Sequence, residues 1–313
     1  MPKRSRSALD TAKLIDGVDE GWILEKTGIK RVFLASPDEN ASDFAYKASC
    51  QAIESSGLAP NDINLIVVAS FSQDYSFPPL AAKLHQMLGM QGGQVLDINT
   101  NCTGFVAATT LAAERLAMNE QAEAALVVAV ELQSRFIDPS DRDTSIFFSD
   151  GAGAAVLSKK KSGHQYVGSS FYTDSSNFES VRMRAGGSAV FGADDTTVIE
   201  QNGIATWRQA ITNLPKTVRN LFEETNQKIG PDVQFVFHQA NYNLIEFVMS
   251  RLKVPMENTY TNVCEVGNSG AASIPICLHE AIGSGWLKRE RPLVLAGVGA
   301  GFNFGASFWR GIE

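Results

Sequence analysis

The 313-residue sequence has few of the residues that build metal sites or disulfide frameworks, with four cysteines and four histidines. The cysteines are widely spaced and form no CxxC pair: Cys50, Cys102, Cys264 and Cys277. This spacing argues against a zinc cluster, and no metal or cofactor is predicted. A chain of this length does not need disulfides, so we expect four free thiols in a reducing cytoplasm.

Long apolar runs and an excess of positive charge are also absent. No stretch approaches the roughly 20 apolar residues of a membrane-spanning helix. The basic start MPKRSRSALDTAK has no apolar segment behind it, unlike a signal peptide. The formal net charge of −7 argues against a broad nucleic-acid surface. We therefore expect neither a membrane nor a nucleic acid as a partner.

Common nucleotide-binding and hydrolase motifs are missing as well. The run GVGAGFNFG (297–305) fails the GxGxxG pattern at its last glycine and leads into a strand rather than a helix, and DGAGAAV (150–156) fails likewise. The chain contains no GxxxxGK[ST] and no GxSxG. A dinucleotide site, a P-loop and a serine nucleophile elbow are therefore not supported.

Alternating strands and helices run through the chain in an order that occurs twice, which predicts an α/β protein. In the first half, strands are predicted over 65–69, 95–99, 125–132 and 153–158, and helices over 78–90 and 103–118. In the second half, strands are predicted over 166–172, 233–237, 259–263, 293–296 and 304–309, and helices over 243–252 and 270–281. The repeat indicates a duplicated unit of about 150 residues, and we place the two halves at 1–162 and 163–313.

The two halves share a polar turn before a helix of small residues, NTNCTG (99–104) and EVGNSG (265–270). We expect these two helices to pack together at the pseudo-twofold centre, with both N-termini facing one site. One element does not match. The second half opens with a strand at 166–172, whereas residues 1–13 are polar and charged, so the corresponding first strand is predicted to be missing.

Three polar side chains are expected at this site. For each of them we consider a role in the site and an alternative role that is purely structural. Cys102 stands before the first small-residue helix, although a free cysteine is more often a buried packing residue. His238 follows the apolar strand at 233–237, where α/β sheets usually build sites; the alternative is a satisfied core histidine. Asn268 precedes the second helix in the place that Cys102 holds before the first, and the alternative is an N-cap.

Together these three residues indicate thioester chemistry. The N–H groups and dipole of a buried helix N-terminus would stabilise the thiolate of Cys102. Neutral donors from His238 and Asn268 would form a pocket for a developing oxyanion.

At these residues the sequence resembles the β-ketoacyl-acyl-carrier-protein synthase III family of the thiolase superfamily. The motifs run collinearly from about residue 19 to the C-terminus: TNCTGFVAA (100–108), DPSDRDTSIFFSDGAGAAVL (138–157), FHQAN (237–241), VGNSGAASIP (266–275) and GVGAGFNFGASFWR (297–310). The resemblance implies a thiolase-like fold, a duplicated βαβαβαββ unit in five αβαβα layers.

The resemblance also implies a mechanism without a cofactor, in which acyl-CoA is a substrate. Cys102 would take the acyl group from acyl-CoA. His238 and Asn268 would then hold the carbonyl of a malonyl thioester as it loses carbon dioxide and becomes an enolate. The backbone N–H groups of Cys102 and Ala300 would hold the tetrahedral oxygen.

Several binding residues are implied by the same resemblance. Trp22 matches the tryptophan that stacks on the CoA adenine, and Arg142 matches the arginine on the other face of that base; each is otherwise a surface residue. Phe77 matches an aromatic that closes the acyl pocket across a homodimer, and plain core packing is its alternative.

Some positions depart from the family pattern. Asn243 and Lys26 stand where the family has arginines near the tunnel mouth and the CoA phosphates, and Ile204 replaces an asparagine beside the pantetheine arm. Arg208 and Arg251 keep basic charge on the face expected to meet an acyl carrier protein, so we retain Lys26 and Arg208 as candidate CoA-binding residues. These departures favour a specialised relative in secondary metabolism over a housekeeping initiator of fatty-acid synthesis.

Three hypotheses for the function follow from the sequence. The first is a condensing enzyme that joins an acyl-CoA to a malonyl thioester, with an acyl carrier protein as a candidate partner. The second is an acyltransferase that passes the acyl group from Cys102 to an alcohol, an amine or another non-carrier acceptor. The third is a non-catalytic partner subunit of a synthase, against which the retained cysteine argues.

Overall fold

Helices and strands alternate through the computed structural model, which describes residues 1–160, 163–190 and 197–312. The strands are β1 (Arg4–Ser7), β2 (Arg31–Leu34), β3 (Leu65–Ala69), β4 (Gln94–Ile98), β5 (Ala124–Glu131), β6 (Gly151–Ser158), β7 (Gln165–Thr173), β8 (Val181–Met183), β9 (Ile199–Gln201), β10 (Gln234–Phe237), β11 (Leu293–Gly299) and β12 (Asn303–Arg310). The helices are α1 (Ala8–Ala12), α2 (Glu20–Thr27), α3 (Ala41–Ser56), α4 (Leu80–Met87), α5 (Gly104–Met118), α6 (Gly203–Glu224), α7 (Tyr242–Leu252), α8 (Val263–Val266) and α9 (Ser273–Gly283).

Two four-stranded sheets dominate the fold, one in each half of the chain. Their strand orders are β4-β3-β5-β6 and β10-β11-β12-β7. In the first sheet, β3 lies parallel to β4 and β5, and β6 is antiparallel to β5. In the second, β10 lies parallel to β11, and β12 is antiparallel to both β11 and β7. The three strands β3, β5 and β6 of the first sheet therefore repeat the arrangement of β10, β11 and β12 in the second, as the sequence repeat predicts, while the fourth strands, β4 and β7, lie at opposite edges.

The second half opens with a strand that the first half is predicted to lack. Among the described residues, the first sheet contains no such opening strand. In the second sheet β7 pairs with β12, but β6 ends the first sheet as its edge strand. The N-terminal segment forms β1 instead, which pairs with β2 in a separate two-stranded ribbon. Its alternating Arg and Ser side chains offer no apolar face that would bury β1 against the core.

The predicted strand at 259–263 is wrong over most of its length. Thr259 makes one isolated bridge to Phe235, and the chain then turns into α8. The cause is Gln239, whose side-chain oxygen accepts hydrogen bonds from the N–H groups of Asn262 and Val263 at 3.0 and 3.2 Å. These bonds fix the turn that starts α8, so the two residues cannot extend the sheet.

Five layers stack around two central helices. The apolar residues of α5 and α9 pack between the inner faces of the two sheets. On the outside, α3 and α4 cover the first sheet, and α6 and α7 cover the second. The predicted αβαβα arrangement is confirmed.

The start of α5 approaches its neighbours closely because Gly104 has no side chain. A Cβ at Gly104 would lie 2.9 Å from the Cβ of Ala69 and 3.1 Å from that of Ala271. A larger residue would push α5 away from β3 and from the turn before α9. The small-residue sequence at this position thus brings the two helix starts together.

In the described ranges, no helix is long and apolar enough to cross a membrane. The predicted boundary between the halves adjoins residues 161–162, which lie outside the described residues.

Candidate active site

Cys102 lies on a short 3₁₀ turn, Asn101–Thr103, between β4 and α5. The turn begins with Asn101 in the left-handed region at φ 49°, a conformation that asparagine tolerates. The Thr103 hydroxyl donates to the Thr100 carbonyl at 2.7 Å and closes the turn. Cys102 is partly accessible, as are Cys50 and Cys264, whereas Cys277 is buried.

The resting form of Cys102 is a thiol. Burial, with the Glu131 carboxyl as a second cause, raises the pKa of Cys102 to about 12. The sequence predicts that the helix N-terminus stabilises the thiolate and lowers this pKa, but the structure gives the opposite direction. Cys102 lies in the 3₁₀ turn ahead of α5, where the effect of burial on the pKa outweighs that of the helix N-terminus.

His238 directly follows β10, and its backbone N–H donates to the Ala296 carbonyl at 2.8 Å. The side chain is buried, and burial lowers the pKa of the imidazole to about 4. The ring is therefore neutral near pH 7. A neutral imidazole can donate a hydrogen bond from one nitrogen while the other accepts.

Ser273 sets the orientation of this imidazole, and the sequence analysis did not single it out. Its hydroxyl lies 2.7 Å from His238 Nδ1 and also accepts the N–H of Gln239 at 3.1 Å. When the hydroxyl donates to Nδ1, the ring proton is on Nε2. The only sequence signal was a serine at the start of a buried helix.

Asn268 is held rigidly by its backbone. Its N–H donates to Phe147 at 2.9 Å, and its carbonyl accepts from the N–H of Ser149 and the side-chain amide of Gln133, each at 2.8 Å. The side-chain oxygen accepts from Gly270 N–H at 2.9 Å. With Oδ1 occupied, the amide NH₂ group is the part of Asn268 that can donate to a substrate. Asn268 is not the N-cap of α9, which is Ala272.

The structure corrects the equivalence drawn between Cys102 and Asn268. Each central helix follows a 3₁₀ turn whose first residue has positive φ, 49° at Asn101 and 57° at Gly270. Matching these turns makes Ala271 the counterpart of Cys102 and places Asn268 opposite Asn99. Sequence comparison missed the shift because it aligned polar residues rather than backbone turns.

The glycine-rich end of β11 brings His238 and the Cys102 turn together, and Asn268 belongs to the turn whose Ala271 packs against Gly104. A Cβ at Gly297 would lie 3.0 Å from the Cβ of His238 and 3.7 Å from the carbonyl oxygen of Cys102. Beyond it, the Ala300 carbonyl accepts from the side-chain amides of Asn303 at 2.8 Å and Asn101 at 3.4 Å. The Cys102 turn and the turn that carries the Ala300 N–H are therefore tied together.

Comparisons with known proteins all indicate the same family. Profiles described as 3-oxoacyl-[acyl-carrier-protein (ACP)] synthase III and its C-terminal region match residues 96–175 and 231–311. The β-ketoacyl-[acyl-carrier-protein] synthase III of Ehrlichia ruminantium is 34% identical over 310 residues, 99% of this chain and 96% of the relative. That of Methylococcus capsulatus is 33% identical with the same coverage. The chain belongs to the β-ketoacyl-acyl-carrier-protein synthase III family.

Solved structures of this family have the same fold. The 3-oxoacyl-[acyl-carrier-protein] synthase III of Aquifex aeolicus has a TM-score of 0.90 at 29% identity, covering 99% of this chain and 96% of that one. The priming β-ketosynthase of a polyketide biosynthetic pathway has a TM-score of 0.89 at 28% identity, covering 99% and 93%. The thiolase-like fold predicted from the sequence is confirmed.

Two of the predicted CoA-binding residues of this synthase III relative are in contact. The guanidinium carbon of Arg142 lies 5.6 Å from the centre of the Trp22 ring. Trp22 is fixed by the N-cap Asp19, which accepts its backbone N–H at 2.7 Å. A base stacked between them needs two separations of about 3.5 Å. Admitting an adenine between them would require Arg142 to move outward by more than about 1 Å.

Replacing Trp22 with alanine should raise the KM for acyl-CoA by about tenfold, because stacking of a base on an aromatic ring contributes about 1–3 kcal/mol. Steady-state acylation kinetics measure this change. The matched control is an acyl-pantetheine without the adenine, whose KM should stay the same in both proteins. An equal loss with both substrates would contradict adenine stacking.

The other binding candidates lie on the surface of the single chain. Phe77 is 85% exposed, which excludes core packing. Lys26 is exposed and pairs with Glu25 at 3.3 Å, and Arg208 is exposed on α6. Asn243 donates its side-chain amide to the carbonyls of Glu25 and Lys26 at 3.0 and 3.2 Å.

Proposed function

We propose that this protein condenses an acyl-CoA with a malonyl thioester, using Cys102 as the nucleophile. The observation that carries the proposal is the meeting of three groups around Gly297 and the Gly270 turn. They are a partly accessible cysteine thiol, a buried neutral histidine and an asparagine whose side-chain oxygen is already occupied.

In the first step, the sulfur of Cys102 attacks the thioester carbonyl of the acyl-CoA. A bond forms between the acyl carbon and Cys102, the bond to the CoA sulfur breaks, and the thiol proton ends on the departing CoA. The N–H groups of Cys102 and Ala300 stabilise the tetrahedral oxygen in between. The neutral imidazole of His238 accepts this proton in transit when its own ring proton is on Nδ1 and Nε2 is free, the tautomer opposite to the one that donates in the second step.

In the second step, the malonyl thioester loses carbon dioxide as its C–C bond breaks. The electron pair becomes an enolate, whose oxygen takes hydrogen bonds from His238 Nε2–H and the Asn268 side-chain amide. The enolate carbon then attacks the acyl carbon, the bond from that carbon to the Cys102 sulfur breaks, and the sulfur takes a proton from solvent. No redox partner is required, since each step moves an electron pair between the substrates and the Cys102 sulfur and oxidises none of them.

We also propose that the malonyl group arrives on an acyl carrier protein that docks near Arg208 and Arg251. Both side chains are exposed. Asn243 cannot supply charge to that contact, because it is neutral and its amide is held by the backbone of α2. The altered charge pattern supports a carrier or acceptor different from that of a housekeeping initiator. The cytoplasm stays the predicted compartment.

A homodimer is the expected assembly. β4 is an edge strand with partly exposed residues, and the exposed Phe77 shortly precedes α4, whose first N–H groups donate to Asp97 of β4 at 2.6 and 2.8 Å. Pairing of β4 with its copy would complete the sheet and bring Phe77 toward the partner's acyl pocket. Light scattering at micromolar concentration should give the mass of a dimer. A monomer would count against the pairing and would remove Phe77 from the pocket.

The function is tested by supplying a panel of acyl-CoAs with malonyl-carrier protein and measuring carbon dioxide and β-ketoacyl product. The proposal predicts equal amounts of both with at least one acyl-CoA. Acyl transfer to an alcohol or amine without carbon dioxide would support the acyltransferase alternative. A protein that takes no acyl group from any donor would instead be a non-catalytic subunit.

A further inference from the structure

Asn303 is a half-buried residue beside the candidate site, and the proposed chemistry does not use its side chain. It is the first residue of β12. Its backbone lies between two neighbours, paired with Gly299 of β11 on one side and with Thr173 of β7 on the other. Pairing on both sides fixes a strand residue in place. The sheet therefore fixes the backbone from which the Asn303 amide extends.

One end of this amide contacts the turn that carries the Ala300 N–H. Nδ2 of Asn303 donates to the Ala300 carbonyl at 2.8 Å, and Nδ2 of Asn101 reaches the same oxygen at 3.4 Å. At the far end of the turn, the N–H and carbonyl of Phe302 bond to the backbone of Asp174 at 3.0 and 2.9 Å. The Asn303 amide is thus the shorter of two side-chain restraints on the Ala300 carbonyl.

The other end of the amide contacts the Cys102 turn. The Thr103 hydroxyl makes a hydrogen bond to Oδ1 of Asn303 and shares its proton with the Thr100 carbonyl. A Cβ at Gly299 would lie 2.6 Å from the Thr100 carbonyl oxygen and 3.2 Å from both Oδ1 and Nδ2 of Asn303. The amide is therefore packed between the end of β11 and the Cys102 turn, with no space for a larger residue at Gly299.

The two turns that Asn303 joins carry the backbone N–H groups of Cys102 and Ala300. In the described part of the chain, neither group donates to a backbone carbonyl. Both are therefore available to a substrate oxygen. An oxyanion hole requires its donors to lie 2.7–3.1 Å from one and the same oxygen. The spacing between the two turns thus decides how well the pair stabilises a tetrahedral oxygen.

We propose that Asn303 is a positioning residue that holds the Ala300 N–H at the spacing from the Cys102 N–H that the tetrahedral oxygen requires. It acts through both ends of one amide, the NH₂ group on the Ala300 carbonyl and the oxygen on the Thr103 hydroxyl. The proposal rests on the proposed function in taking Cys102 as the acyl acceptor and these two N–H groups as the donors to the oxygen.

The test compares two reactions of the same sulfur. Acylation of Cys102 by an acyl-CoA passes through a tetrahedral oxyanion, whereas alkylation by iodoacetamide forms a carbon–sulfur bond and expels iodide without one. Asn303→Leu keeps the volume and removes both hydrogen bonds. Its acylation should slow by about 10- to 100-fold, while alkylation, which depends on the thiol itself, should stay within about threefold of wild type. Intact-mass spectrometry measures both rates, with the acyl-CoA that loads wild type fastest as the donor.

Asn303→Asp separates the two ends of the amide. An ionised aspartate keeps an oxygen that accepts from Thr103, but it cannot donate to the Ala300 carbonyl. Its ratio of acylation to alkylation should therefore fall as far as that of Asn303→Leu. This variant also decides the test if the leucine variant does not fold.

The matched control is Asn258→Leu. The amide of Asn258 also donates to backbone carbonyls, those of Pro231 and Val233 at 2.7 and 2.8 Å. These carbonyls precede β10, whereas His238 follows it, so this amide supports the end of the strand away from the site. The ratio of acylation to alkylation should stay as in wild type, and the same selective loss in this control would overturn the proposal.

Equal losses in both reactions of Asn303→Leu, or no loss of acylation, would also overturn the proposal, because a general folding defect does not distinguish the two reactions. A wild-type ratio in Asn303→Asp would overturn it as well, since the bond to Ala300 would then be dispensable. If no acyl-CoA acylates the wild type, the proposal falls together with the assignment of Cys102. Acylation without later condensation would overturn only the proposed function.

Discussion

Replacing Cys102 with alanine should abolish acylation by acyl-CoA completely. Intact-mass spectrometry of the wild type should show one added acyl group, and peptide mapping should place it on Cys102. The reason is geometric: among the four thiols, only Cys102 lies on the turn before a central helix, beside Gly297 and His238. Removal of the sulfur removes the only atom in that position that can form the thioester.

The other thiols provide the control. Cys277 is buried, while Cys50 on α3 and Cys264 on α8 are half-buried, and burial raises the pKa of Cys264. Cys264→Ala should therefore be acylated like the wild type. An adduct on any cysteine other than Cys102, or an adduct that survives in Cys102→Ala, would contradict the assignment of the nucleophile.

Replacing Asn268 with alanine should leave acyl-Cys102 formation intact and slow condensation by about 10²–10³-fold. This factor corresponds to about 3–4 kcal/mol, the usual effect of losing one donor from an oxyanion hole. The backbone of Asn268 makes three hydrogen bonds of its own, so the turn should survive the substitution. Rapid-quench kinetics of the two half-reactions measure the effect.

His238→Ala is the companion variant. It should lose condensation by a similar factor and acylate more slowly as well, if the imidazole accepts the Cys102 proton. An acyltransferase that takes a proton from an alcohol or amine would behave differently, since it needs His238 as a base and tolerates Asn268→Ala. If Asn268→Ala keeps near-normal turnover while His238→Ala is inactive, the result would contradict the condensing function and support the acyltransferase alternative.

Much of this arrangement could be predicted from the sequence because it rests on periodicity and on turns. Apolar runs such as Leu65–Ala69 and the small-residue helices gave the sheets and the central layer. The position of Cys102 before one such helix, and of His238 after a buried strand, indicated the site. These signals are local, so they survive without knowledge of the tertiary structure.

The remaining features depend on contacts between distant segments. The side chain of Gln239 ends the predicted strand at 259–263 by capping α8, and the hydroxyl of Ser273 orients His238. The charge state of Glu131 depends on its complete burial and on Ser72, 59 residues away. The sequence shows only a single glutamate at the end of an apolar strand, and the spacing of residues does not predict that Ser72 is its hydrogen-bond partner.

A single-turnover experiment on isolated acyl-Cys102 enzyme tests the condensation most directly. The acyl-enzyme, freed of acyl-CoA, is mixed with malonyl-carrier protein, and the mass of the protein and the carbon dioxide released are followed together. We predict that the acyl mass leaves Cys102 as one equivalent of carbon dioxide and one β-ketoacyl thioester appear. Loss of the acyl group without carbon dioxide, or its retention until an alcohol or amine is added, would contradict a decarboxylative condensation.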